Sequence, residues 1–134
     1  PVVFVPGNHD TQEAVENFSH AYHAKNIHGS YKIVEDVGFF GSGGSANLSY
    51  FPFPVTEKEM YSNLKAGYEK LKGVKKKIMV THEHPAGTLV EKFSSIPGSK
   101  SVKKAIEKFQ PDIFVCGHIH EMEGFEERGA IIEI

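Results

Sequence analysis

The chain is short of cysteine, of aspartate, of net charge and of long apolar runs, and each shortage excludes something. One cysteine, Cys116, in 134 residues cannot form an intramolecular disulfide, and such sparse use fits a reducing compartment. It lies in the apolar run Ile113-Phe114-Val115-Cys116 and reads as a small buried side chain. A formal net charge of −2 leaves no electrostatic footprint for nucleic acid or an anionic membrane. The one basic run, Lys75-Lys76-Lys77, reads as a solvated turn. No stretch is apolar for long enough to span a bilayer, and Pro1 to Pro6 lack the basic start and cleavage site of a signal peptide. The expectation is a cytoplasmic protein with no membrane partner, and nucleic acid is disfavoured. Only three aspartates occur, Asp10, Asp36 and Asp112, a scarcity that bears on metal binding.

With 40% hydrophobic residues, residues 1–134 suffice for a single domain with a real core. Val2 to Val5 reads as a short buried strand, so the chain opens in mid-sheet and without Met; the expectation is a domain whose N-terminal segment lies upstream of Pro1. Asp10 or Thr11 can cap the helix that follows, with Glu13 placed to reciprocate and Ala14, Val15, Phe18 and Tyr22 at helical spacing. Tyr31 to Glu35 and Val37 to Phe40 predict a hairpin. Gly41 to Ser45 and Phe51 to Pro54 predict irregular structure. Thr56-x-x-Glu59 is a capping box opening a helix that carries Met60, Leu64, Tyr68 and Leu71 on one face. Lys77 to Thr81 predicts a strand, and Pro85, Gly87, Pro97 and Gly98 a loop. A helix through Val102, Ala105, Ile106 and Phe109 stops at Pro111, and a strand runs from Asp112 to Cys116. Glu123 to Ile134 predicts a hairpin turning near Gly129. Strands alternating with helices argue for an α/β layered fold.

Three histidine motifs punctuate this pattern: Gly7-Asn8-His9-Asp10, Thr81-His82-Glu83-His84-Pro85 and Gly117-His118-Ile119-His120. Each follows a predicted strand, where side chains on variable loops gather over a rigid sheet. Neutral imidazoles and an amide oxygen suit a borderline divalent cation. Asn8 can offer its carbonyl oxygen while His9 faces whatever the cation holds. Asp10 reads as a helix N-cap rather than a ligand. His84, constrained by Pro85, is a lesser candidate ligand, and His20, His23 and His28 read as surface or hydrogen-bonded histidines. Gly41-Ser42-Gly43-Gly44-Ser45-Ala46 fits a loose dinucleotide pattern, but no helix is predicted directly after it to meet a phosphate.

In this order, Gly-Asn-His-Asp, a strand-terminal His and Gly-His-x-His resemble the calcineurin-like metallophosphoesterase superfamily over nearly the whole chain, as the C-terminal part of its domain. The resemblance implies a layered β-sandwich flanked by helices, here lacking its N-terminal strands, and a phosphoesterase with two divalent metals (Mn, Fe, Zn, Co or Ni). By position, Asn8, His82 and His118 resemble ligands of one metal and His120 a ligand of the other. His9 resembles the catalytic histidine, which with Asn8 contacts substrate. The implied substrate is a small phosphate ester, monoester or diester.

The Asp-x-His and Gly-Asp pairs that such a centre also needs do not occur in this chain. Without a bridging carboxylate two cations would repel strongly. The expectation is that these residues alone build no full dinuclear centre and are inactive in isolation. The rival reading is a non-catalytic binding or scaffold module holding at most one weak metal. A cupin-like site is disfavoured by the three helical patterns, and a metallo-β-lactamase-type site by the lack of a following Asp-His pair. A homo-oligomer stays open, because an unpaired first strand would expose a sheet edge.

Overall fold

The structure is a computed structural model that describes residues 1–46, 50–120, 124–126 and 131–133. The apolar runs assemble two sheets. Strand β1 (Val3–Phe4) pairs in parallel with β2 (Lys25–Asn26). The larger sheet has six strands, β3 (Tyr31–Val34), β4 (Val37–Ser42), β5 (Lys76–Thr81), β6 (Ile113–Cys116), β7 (Gly124–Glu126) and β8 (Ile131–Glu133), in the spatial order β3-β4-β5-β6-β8-β7. Its four central strands are parallel, and each edge strand is antiparallel to its neighbour.

Among the described residues four helices connect these strands: α1 (Gln12–Tyr22), α2 (Glu57–Glu69), α3 (Leu89–Ser94) and α4 (Lys100–Phe109). The Thr56–Glu59 capping box closes in both directions and starts α2. Met60 and Leu64 on α2, with Leu71 just beyond it, and Val102, Ala105 and Phe109 on α4 bury against Phe40, Met79 and Phe114 of β4, β5 and β6. The Phe109 ring stacks on Tyr68 at 4.4 Å. Helix α2 comes so close to Ser30 that a Cβ at Gly67 would strike the Ser30 carbonyl oxygen. Cys116 is buried in this core.

Several sequence expectations are corrected. Helix α1 is capped by Thr11, whose hydroxyl accepts from Ala14 N–H, so Ala14 holds the place where a reciprocating Glu would stand. Of its expected apolar face only Val15 is buried, while Tyr22 is 65% exposed. Gly41 and Ser42 belong to β4, paired in parallel with Val80 and Thr81, not to a loop. The predicted loop between Pro85 and Gly98 holds α3, and β2 was not expected. Lys76 and Lys77 lie in β5 rather than a turn; Lys77 bonds the Val74 carbonyl and lies over the Tyr68 ring. Strand β1 is two residues long and half-buried, not part of the main sheet. The C-terminal strands pair as a hairpin, and the turn expected near Gly129 lies outside the described residues. Among the described residues no helix is long and apolar enough to cross a membrane.

Candidate metal centre

Strands β5 and β6 are neighbours in register, Val80 opposite Val115, so the residues that leave their carboxyl ends stay side by side. Gly117 N–H donates to the His82 carbonyl at 3.1 Å, and His82 N–H donates to the Ser42 carbonyl at 3.2 Å. These bonds extend the ladder past the last regular residues and set His82 beside His118. The Asn8–His9 turn arrives from β1. Its backbone is closed by Asp10, whose carboxylate accepts from Gly7 N–H at 2.6 Å. Asp10 thus braces the turn and does not cap α1. A side chain at Gly7 would press on the His82 ring, with Cβ 3.3 Å from a ring carbon.

Three donor atoms meet here. His82 Nε2 lies 2.8 Å from Asn8 Oδ1 and 3.1 Å from His118 Nδ1. A ring nitrogen carries at most one proton, so a proton on His82 Nε2 bonded to Asn8 leaves the His118 lone pair facing the same point. Two ligand atoms each about 2.1 Å from one cation and at right angles stand about 3 Å apart. Each pair, Asn8 with His82 and His82 with His118, therefore has the spacing of two neighbouring ligands of one cation. Asn8 is only 2% exposed, and His118 holds a left-handed backbone, φ 83°, that a non-glycine residue adopts at a cost.

Electrostatics keep these rings neutral. Burial, followed by the neighbouring His118, lowers the His82 pKa to about 4, with Asp10 opposing and His120 and His9 adding to the fall. Burial, then His84, His120 and His9, lowers that of His118. Neutral imidazoles at pH 7 are the form that ligates a cation.

The other candidates stand apart from the trio. His120 is exposed and acts on His82 and His118 through its charge. His9 is exposed, its ring edge-on to Phe51 at 4.3 Å. His84 is fully buried, donates through Nε2 to the Ile96 carbonyl at 3.1 Å and stacks on His118 at 6.1 Å. His20 and His23 are exposed, and His28 accepts from Gly43 N–H through Nδ1 at 2.9 Å. No cluster of three His, Cys, Asp or Glu side chains among the described residues could hold a metal by itself; the converging set depends on an asparagine.

One buried residue had no sequence signal beyond its place between two histidines. Glu83 is fully buried, and its carboxylate accepts from Ser45 Oγ at 3.1 Å and Ala46 N–H at 2.7 Å. It fastens the segment after β4 to the end of β5. Only a fold that turns residue 83 inward reveals this role.

The chain is 33% identical over 141 aligned positions to the uncharacterized protein MJ1162 of Methanocaldococcus jannaschii, covering 99% of this chain and 62% of that protein. The crystal structure of TT1561 of Thermus thermophilus superposes with a TM-score of 0.75 at 18% identity, over 99% of this chain and 62% of the other. A second crystal structure gives 0.73 at 19% identity over 98% and 55%. The chain thus spans about three-fifths of each relative's length, and the two structures share its fold. The family model for calcineurin-like phosphoesterases matches residues 1–122, the span that holds every motif of the centre, and the chain belongs to that family.

Proposed function

We propose that this chain forms the histidine-rich side of a metal-dependent phosphoesterase centre that hydrolyses a small phosphomonoester or phosphodiester. The convergence of Asn8 Oδ1, His82 Nε2 and His118 Nδ1 carries the reading. Asn8, His82 and His118 would hold one divalent cation and His120 would contribute to a second. When bound, such a pair polarises the phosphoryl oxygens and lowers the pKa of a bound water. Asn8 and His9 would contact the phosphoryl group. His9, exposed at the rim, delivers a proton to the departing oxygen, which turns a poor alkoxide leaving group into an alcohol. Asp10 keeps the turn that presents them closed.

Among the described residues no carboxylate joins the trio. Asp10 is close enough to raise the His82 pKa, but one of its oxygens is bonded to Gly7 N–H. The bridging carboxylates would therefore come from outside these 134 residues, and the chain alone would be inactive. That same lack favours the second reading, a binding module with one weak metal, for the isolated chain. In a reducing, cytoplasmic setting Mn, Fe, Zn, Co and Ni all suit this donor set. The test is hydrolysis of p-nitrophenyl phosphate and its bis-ester by the full-length protein with Mn²⁺ or Ni²⁺. Activity that His9→Ala abolishes supports the reading; activity that His9→Ala leaves untouched removes the proton-donor role. Two tightly held metals on the isolated chain, by elemental analysis, would overturn the claim about the carboxylates.

A further inference from the structure

Beside His9 the chain carries a run of aromatic rings that the chemistry above does not use. The His9 ring meets Phe51 at 4.3 Å, and Phe51 meets Tyr50 at 4.6 Å with planes tilted by 34°. Phe51 is half-buried, whereas Tyr50 is 78% exposed, the most exposed large apolar side chain described. This row is not an independent surface. Phe53 N–H donates to the Asn8 carbonyl at 3.2 Å, so the segment bearing the two rings is tied to the turn that presents Asn8 and His9.

We propose that Tyr50 and Phe51 form a stacking platform for a planar aromatic ring in the leaving group, an aryl ring or the base of a departing nucleoside, in an ester whose phosphoryl end lies at His9. An exposed ring joined to a proton donor through one intervening ring can take a flat group without any matching hydrogen bonds, because every aromatic heterocycle has a π-face. A flexible alkyl group gains much less there, since it lacks the face and loses rotamer freedom on binding. The contact between Phe51 and His9 also makes Phe51 a positioning residue, holding the imidazole plane against a ring edge. This inference rests on the phosphoesterase reading and names its substrate class.

The test uses Mn²⁺-loaded full-length protein and three non-hydrolysable probes: methylphosphonate, phenylphosphonate and the phosphonate analogue of a nucleoside monophosphate. Titration calorimetry should show the planar probes binding about tenfold tighter than the methyl one. In Tyr50→Ala that ratio should collapse toward one; the side chain is exposed, so the fold is unaffected. Collapse for the nucleoside analogue alone assigns the platform to a nucleobase, and collapse for both assigns it to aryl groups generally. A ratio of one in the unaltered protein, or a ratio that survives Tyr50→Ala, overturns the platform. If planar preference holds but no ester is hydrolysed, the phosphoesterase reading fails and the platform stands. If alkyl and aryl esters are hydrolysed alike and Tyr50→Ala changes neither, the platform alone fails.

Discussion

The carboxylate of Glu57, in the first turn of α2, accepts from Ser101 N–H at 2.9 Å and so caps a helix other than its own. It also accepts from the Ser99 hydroxyl at 2.7 Å and Lys100 N–H at 3.2 Å, while the Ser101 hydroxyl donates to the Glu57 carbonyl at 2.6 Å. Burial pushes the Glu57 carboxyl up, but these bonds outweigh it and hold the group below its ordinary range. Glu57→Ala should cost about 1–3 kcal/mol, since it strips a charged cap from the N-terminal N–H groups of α4. Urea denaturation measures it, with exposed Lys58→Ala as the comparison. Because the carboxyl titrates lower when folded, its contribution is present above about pH 4.5 and fades as the pH falls below that. A Glu57→Ala penalty that stays constant down to pH 3 would contradict this.

Glu83 predicts a difference between two substitutions. Glu83→Ala leaves the part-buried Ala46 N–H and the buried Ser45 hydroxyl without their acceptor and should cost roughly 1–3 kcal/mol. Glu83→Gln keeps a carbonyl oxygen for Ala46 and an amide that Ser45 can accept from, and should cost less than half as much. Thermal melting of both variants decides the point; equal losses would mean that the charge, not the acceptor, matters.

His82 predicts an acid-sensitive fold in the absence of metal. Its pKa falls from 6.5 to about 4 on folding, so between those values the unfolded chain binds a proton that the folded chain does not. Stability therefore falls as the pH drops through this window. The buried His84 and the half-buried His118 and His28 are shifted the same way. Urea midpoints measured in the presence of a chelator should decline from pH 7 to pH 4, and less steeply in His82→Asn. A flat profile over that range would show that the ring stays accessible to protons.

Added Mn²⁺ should raise the melting temperature of the full-length protein by mass action. Asn8→Ala, His82→Ala and His118→Ala should each blunt that rise. His9→Ala should preserve it while lowering kcat about 10²- to 10⁴-fold. Differential scanning fluorimetry with parallel kinetics separates the two classes. A shift lost in His9→Ala would make that residue a ligand.

What the sequence made legible was local. Thr56 and Glu59 declare a helix start because both partners of the box lie within one turn. The β-branched runs ending at His82 and Cys116 declare strands, and the family motifs point to Asn8, His9, His82, His118 and His120. The convergence of the trio was not legible, because it depends on β5 and β6 being neighbours in register. Asp10 and Thr11 compete for one cap, and only the bond from Gly7 N–H shows why Asp10 loses. Helix α3 escaped notice because Pro85, Gly87, Pro97 and Gly98 crowd its ends and six residues are too few for a periodic signal. Gly41 and Ser42 read as loop from composition, yet they extend β4, and Gly41 passes so close to the Val80 carbonyl and to Val5 that a larger residue there would not fit.

The donors of the candidate centre follow strands of two different sheets, and the backbone bond from Gly44 N–H to the Pro6 carbonyl at 2.9 Å ties together the segments that leave β4 and β1. Any Cβ at Gly43 would collide with Pro6 at that tie. For protein engineering this divides the surface into two kinds of position. Loops around the rim, the exposed Tyr50 included, are open to library mutagenesis aimed at new leaving groups. Position 43 is a datum mark: altering it moves the Asn8 side of the centre relative to the His82 side and detunes the Asn8–His82 distance, while the His82–His118 pair stays fixed on its own sheet.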